Sequence, residues 1–248
     1  MSKSKLAAPQ MVSNSRMLYT SWIPADPRAA AQLLPPALKP AANGAIYMNQ
    51  YVVDRAEQTT GFGAYSLTYL GLDVDGHPAP DGVTPGRFFT HYFNSSEVVR
   101  EYASERGVPA SPGRTTLEVN GGVLTATTYV DERPIIRTTA EVGDQADIVL
   151  AGHLRYITQV KDRLVSGNYP YIGELVSRFT VRSIEFLEPL HPVYALRPAS
   201  PLQVVAGSSF YAPRDSFVYP GGEYDMGPAD PKEKKHEHHV QVPSLAGV

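Results

Sequence analysis

The alternation of apolar and polar positions is clearest between residues 107 and 143, GVPASPGRTTLEVNGGVLTATTYVDERPIIRTTAEVG. Pro109 and Pro112 end a preceding helix, and three runs of β-branched and aromatic residues follow, at 114–120, 123–131 and 135–143. Such runs read as strands. Asn120-Gly121-Gly122 has the composition of a tight hairpin turn. The spacing therefore predicts an antiparallel meander with Leu117 and Val119 on one face and Thr116 and Glu118 on the other. The same alternation predicts strands at 16–22, 45–54, 64–70, 88–93, 174–185, 202–205 and 208–218, with turns around Gly61-Phe62-Gly63 and at 166–170. Asp26-Pro27 predicts a capped helix running to about Leu34 and stopped by Pro35-Pro36. A second helix is predicted over 95–106, capped by Asn94, braced by Glu97 and ended by Gly107. Residues 71–87, rich in glycine and proline, read as a loop.

Composition narrows the class. At 248 residues, 42% hydrophobic and 19% charged, the chain is long enough to bury a substantial core, and 22 prolines with 20 glycines fit many short strands joined by turns. A net charge of -3 gives no general attraction to nucleic acid or to an anionic membrane, so neither partner is expected. The sequence holds no cysteine, which excludes disulfides, thiolate catalysis and cysteine-ligated zinc. MSKSKLAAPQMVSNS at the start lacks the apolar core of a signal peptide, and no apolar run approaches the ~20 residues of a membrane span, so a cytoplasmic location is expected. Residues 1–14 read as a mobile arm. After Met226 the composition turns to PADPKEKKHEHHVQVPSLAGV, and residues 228–248 are expected to be a disordered tail.

Motif chemistry is largely exclusion. The chain has no G-x-S-x-G, no P-loop, no HExxH and no G-x-G-x-x-G after a strand, so seryl hydrolysis, nucleotide use and zinc-peptidase chemistry fall away. Asp73-Val74-Asp75-Gly76 opens like a calcium loop but lacks the later ligands. His236, His238 and His239 lie on the tail without groups to orient them, so no functional metal is expected. Tyr47, Tyr51, Tyr65, Tyr69 and Tyr92 fall on predicted strands, where they pack and also offer phenol donors. His91 has two readings: a hydrogen-bonded histidine among aromatics, or an acid–base group, since imidazole ordinarily titrates near neutrality.

The succession of elements resembles the acetoacetate decarboxylase-like superfamily over roughly residues 15–227. A helix ends in Gly107-Val108-Pro109, a two-residue reactive position and a long meander follow, and SPLQVVAGSSFYAPRDSFVYPGGEYDM closes the sheet. The resemblance also decides 154–161 as strand, although 153–164 carries some helical periodicity. It implies a pair of lysines after the proline, one of which forms a Schiff base, but Ala110 and Ser111 stand there and no lysine occurs between Lys39 and Lys161. It implies that Arg16 reaches the cavity as partner of a carboxylate or enolate; the alternative is a strand-end arginine in a surface ion pair. Two glutamates of the family are replaced, one near Asn49-Gln50 and one by Leu67, which implies a drier and less acidic cavity.

The expected fold is a single mainly β (α+β) domain. A large curved antiparallel sheet closes into a barrel-like cavity, with a few short peripheral helices and an opening at 71–87. Arg16, His91 and Tyr65 are the candidate catalytic residues, and Gln50, Tyr47, Leu67, Tyr92, Ser111, Arg114 and Glu118 the candidate substrate contacts. The expected function is cofactor-free lyase, cyclase or isomerase chemistry on a small or polyketide-like carbonyl compound, without a Schiff base. The resemblance implies a homo-oligomer. A non-catalytic small-molecule binder and a decarboxylase working without an imine are the alternatives, the latter lacking the usual electron sink.

Overall fold

In the computed structural model, which describes residues 6–232, the elements in chain order are β1 (Gln10–Trp22), α1 (Pro27–Ala31), β2 (Ile46–Val53), β3 (Tyr65–Val74), β4 (Gly86–Asn94), α2 (Glu97–Ser104), β5 (Ala110–Pro112), β6 (Arg114–Asn120), β7 (Val123–Val130), β8 (Arg133–Val142), β9 (Ala146–Val160), β10 (Arg163–Val176), β11 (Phe179–Phe186), β12 (Phe210–Tyr219) and β13 (Tyr224–Pro228). Seven strands close into a barrel in the order β12-β1-β2-β3-β4-β9-β10, because β12 pairs with both β1 and β10. Contacts round this barrel are antiparallel except β4–β9, which is parallel, so the expected antiparallel sheet is a mixed one. Between β4 and β9 the chain makes α2 and four further strands, the kind of long connection that a parallel pair requires.

The meander is not part of the barrel wall. It forms a second, four-stranded sheet, β11-β8-β7-β6, on the barrel's outer surface. Leu117, Leu124, Ala126 and Val142 bury against Leu18 and Tyr211 there. Gln50 and Thr68 reach across to the Thr128 hydroxyl. At its corner Asn120 pairs with Val123 across Gly121 and Gly122, whose φ values of 57° and 77° are left-handed and favour glycine.

Other boundaries differ from the sequence pattern for identifiable reasons. Residues 10–14 are not an arm: they open β1, with Gln10 paired to Tyr219 and Val12 1% exposed. Gly167 and Pro170 lie inside β10, and the chain instead reverses at Lys161-Asp162. Gly167 is required because the Tyr156 ring lies across it, where a Cβ would meet Cζ at 2.5 Å. Residues 202–205 contribute only an isolated bridge, Val204 to Trp22. The 71–87 loop shrinks to the stretch between β3 and β4, and Asp73 is a buried strand residue. α1 is capped by Asp26, but α2 is capped by the Ser96 hydroxyl, while Asn94 accepts from the Ser96 N–H. Past residue 227 the chain stays packed, with Ala229 buried and its N–H donating to Asp162. His236, His238 and His239 lie outside the described residues. Among the described residues no helix is long and apolar enough to cross a membrane.

Candidate functional site

Strand alternation and two bulges decide which side chains enter the barrel. Tyr47, Asn49 and Tyr51 of β2 face inward, as do Tyr65, Leu67 and Tyr69 of β3, while Met48 and Gln50 face out. On β4 the register steps from Leu70–His91 to Gly71–Phe89, leaving Thr90 as an extra residue whose hydroxyl donates to Leu70 O. A bulge of this kind re-aims the side chains beyond it. Arg87, Phe89 and Tyr92 therefore face the interior, and His91 faces away. β12 steps from Met17–Ala212 to Ser15–Asp215, three residues against two, which brings Asp215 into the inward row of Phe217 and Tyr219.

Inside lies a cavity of about 60 Å³ lined by Tyr19, Asn49, Arg87, Tyr169 and Asp215, with the exposed His153 at its rim. The Arg87 guanidinium sits 4.7 Å above the Tyr19 ring and 5.3 Å from that of Tyr47, and its Nε lies 3.4 Å from the Asp73 carboxylate. Its terminal nitrogens make no hydrogen bond among the described residues. Burial opposes its charge, yet Tyr19 and Asp73 hold its pKa above the ordinary arginine value. Burial likewise lifts the Asp73 carboxyl, against the pull of Arg87.

Asp215 is 2% exposed, and burial pushes its carboxyl up to about 8, so at pH 7 it is a neutral acid. Its neighbour across the ladder is Gly173, where a Cβ would come within 2.6 Å of Asp215 Oδ1. Asp215 Oδ2, Asn49 Oδ1 and the Tyr19 hydroxyl are buried without a hydrogen-bond partner among the described residues. Asn49 Nδ2 donates to the Tyr69 hydroxyl at 3.0 Å, which meets the Tyr169 hydroxyl at 2.9 Å, so one wall is a fixed polar chain.

Four of the sequence candidates belong to this interior. Tyr47 donates to Phe88 O at 3.2 Å, Tyr65 meets the Tyr51 hydroxyl at 2.8 Å, Tyr92 stacks on Tyr69, and Leu67 is fully buried among them. Burial raises the pKa of all three phenols. The other six lie outside this inner cluster, and none of the ten lines the Arg87–Asp215 cavity itself. Arg16 pairs with Asp54 at 2.6 Å on the outer face and donates to Leu117 O, tying the barrel to the meander. Gln50 donates to Thr128 between the sheets at 3.0 Å. His91 stacks on Phe93, 6.4 Å from the His191 ring, and burial lowers its pKa to about 4, which keeps the imidazole neutral. Ser111 Oγ leans on Tyr92 O at 3.4 Å, Arg114 pairs with Glu132 over the Tyr129 ring, and Glu118 is exposed. Ala110, where the resemblance puts an amine, packs against the inner cluster, and among the described residues no lysine lines the cavity. Arg87 and Asp215 were not among the sequence candidates. Their signal is phase: Arg87 alternates with Phe89, and Asp215 with Phe217 and Tyr219.

No family model and no curated protein sequence matches the chain. Among solved structures, the architecture is that of acetoacetate decarboxylase and proteins like it. An acetoacetate decarboxylase superposes with a TM-score of 0.67 at 14% identity, over 90% of this chain and 91% of that one. The enzyme from Legionella pneumophila gives 0.64 at 15% identity, over 91% of each. MppR, an enduracididine biosynthesis enzyme solved with the condensation product of pyruvate and imidazole 4-carboxaldehyde, gives 0.59 at 16% identity over 90% of each. At such identities the likeness is one of fold.

Proposed function

We propose that the Arg87–Asp215 cavity is the active site of a cofactor-free enzyme that moves a proton beside the carbonyl of a small, carboxylate-bearing molecule, as isomerisation, dehydration or cyclisation requires. One observation carries this: Arg87, Asp215, Asn49 and Tyr19 converge on one cavity, each with hydrogen-bonding capacity that the protein leaves unused. Buried polar atoms without partners are costly, so the set outlines a polar ligand. Arg87 takes the carboxylate in a two-point contact. Asp215 donates its proton to the carbonyl oxygen as that oxygen gains charge, while Asn49 and Tyr19 orient the substrate. The carbon-bound proton passes to a base, for which the His153 imidazole at the rim is the candidate. With no amine among the described residues that line the cavity, the electron sink is this hydrogen-bonded oxygen rather than an imine. MppR, solved with a pyruvate condensation product, supports a biosynthetic carbonyl substrate on this fold.

Proton NMR in D2O tests it: 2-oxo and 3-oxo acids are incubated with substoichiometric protein, and loss of the C–H signal beside the carbonyl is followed. Catalysed exchange is expected, slowed by roughly a hundredfold or more in Asp215→Asn, with binding lost in Arg87→Met. Saturable binding without exchange would make the cavity a ligand-binding site without catalysis. No binding at all would overturn the cavity assignment.

A further inference from the structure

We infer that the substrate carries a short, unbranched hydrocarbon tail opposite its carboxylate, held in a second, apolar chamber behind Tyr69 and Tyr219. This rests on Arg87 being the carboxylate site. The second chamber, about 30 Å³, shares Tyr69 and Tyr219 with the first, so the partition is two side chains rather than backbone. Phe62, Phe89, Val99, Ala103 and Val108 make up five of the nine remaining lining residues. Polar capacity is sorted between the two spaces. The unpartnered oxygens of Asp215, Asn49 and Tyr19 all face the first, whereas among the residues lining the second only the Tyr102 hydroxyl is buried without a partner.

Elsewhere in the second chamber the polar groups are mutually satisfied. Arg106 covers the Tyr102 ring at 3.6 Å and pairs with Glu223 at 2.9 Å, and the Tyr156 hydroxyl donates to Glu223 at 2.7 Å. A charged or strongly polar tail would find almost no partner, while methylenes gain from leaving water. Size sets the other limit. At roughly 10–15 Å³ per water-sized occupant, this space takes about two or three such units, which suits a thin chain of a few carbons and excludes a ring or a branched group.

Titration calorimetry with straight-chain carboxylates from acetate to octanoate tests the tail site directly. In the unaltered protein, affinity is expected to rise about three- to fourfold per methylene and then level off once the chamber is full. Ala103→Leu, which fills the chamber from α2, moves the plateau to shorter acids; Val99→Ala, which enlarges it, moves the plateau to longer ones. The same length dependence in all three proteins overturns the inference. Arg87-dependent binding that ignores chain length also overturns it, leaving the carboxylate site standing. If no acid binds, or all bind equally to Arg87→Met, the carboxylate site itself falls and the tail site with it.

Discussion

Replacing Asp215 with asparagine is expected to make the protein more stable at pH 8 while removing the proposed proton donor. The carboxyl is 2% exposed, and burial raises its pKa from 3.8 to about 8. Between these values the folded chain holds one proton that the unfolded chain has released. Stability therefore falls as pH rises across this window, is unaffected by the group below it, and stops falling above it. At about 1.36 kcal/mol per unit, the penalty reaches roughly 4 kcal/mol by pH 7. Asparagine does not ionise, but its amide is buried in the same place, so about half of this should be recovered. A gain of about 2 kcal/mol corresponds to roughly 4–8 °C in Tm for a chain of this size. Thermal melts of both proteins at pH 4.5, 6, 7 and 8 measure it, and the advantage of the variant should grow with pH. A difference that stays constant, or an unaltered protein that is the more stable at pH 8, would refute the reasoning, because the carboxylate would then be ionised and paired in the fold. Turnover should decline as pH rises through about 8, where the acid loses its proton.

Arg87→Met is expected to abolish carboxylate binding and to cost about 3 kcal/mol in urea denaturation, since it strands the buried Asp73 carboxyl; adding Asp73→Asn should restore most of the stability and none of the binding. His91→Phe and Arg16→Met should leave ligand affinity and turnover within about twofold, and Arg16→Met should lose at most about 1 kcal/mol from its half-exposed ion pair. A tenfold fall in turnover for either would return that residue to the site. Borohydride treatment with pyruvate or acetoacetate should give no stable mass increase, because Ala110 offers no amine and Lys161 lies in a hairpin turn; an adduct on Lys161 would contradict this.

Much of the fold was legible because its determinants are local. Asn120-Gly121-Gly122 turned where two left-handed residues were needed, Asp26 capped α1, and most alternating runs became strands. The barrel interior was less legible, because strand phase is reset by bulges that composition does not announce. Uninterrupted alternation puts His91 in the row of Arg87 and Phe89, and one extra residue at Thr90 moves it outside. A shift of one position likewise separates inward Asn49 from outward Gln50, which long-range pairing with β1 and β3 determines. Gly167 and Pro170 carried turn chemistry but serve a strand, since a ring from β9 needs the space beside Gly167. Arg87 was hidden by being assigned to a loop, although a charge followed directly by Phe88 and Phe89 is a recognisable signal for a buried cation.

The strand that seals the barrel is also the strand that brings the acid. β12 pairs with β1 on one side and β10 on the other, and Ser15 bonds to the backbone of Asp215 across a separation of 200 residues. During synthesis, a chain that has reached residue 200 already contains Arg87, Asn49 and Tyr19 but has neither a closed wall nor Asp215. Contacts this distant in sequence form late, after the loop between them has paid its entropy. The proposed chemistry is therefore coupled to completion of the polypeptide: a product terminated before β12 would lack both Asp215 and the closed wall, and the carboxyl enters only in the act of closing the cavity that shields it.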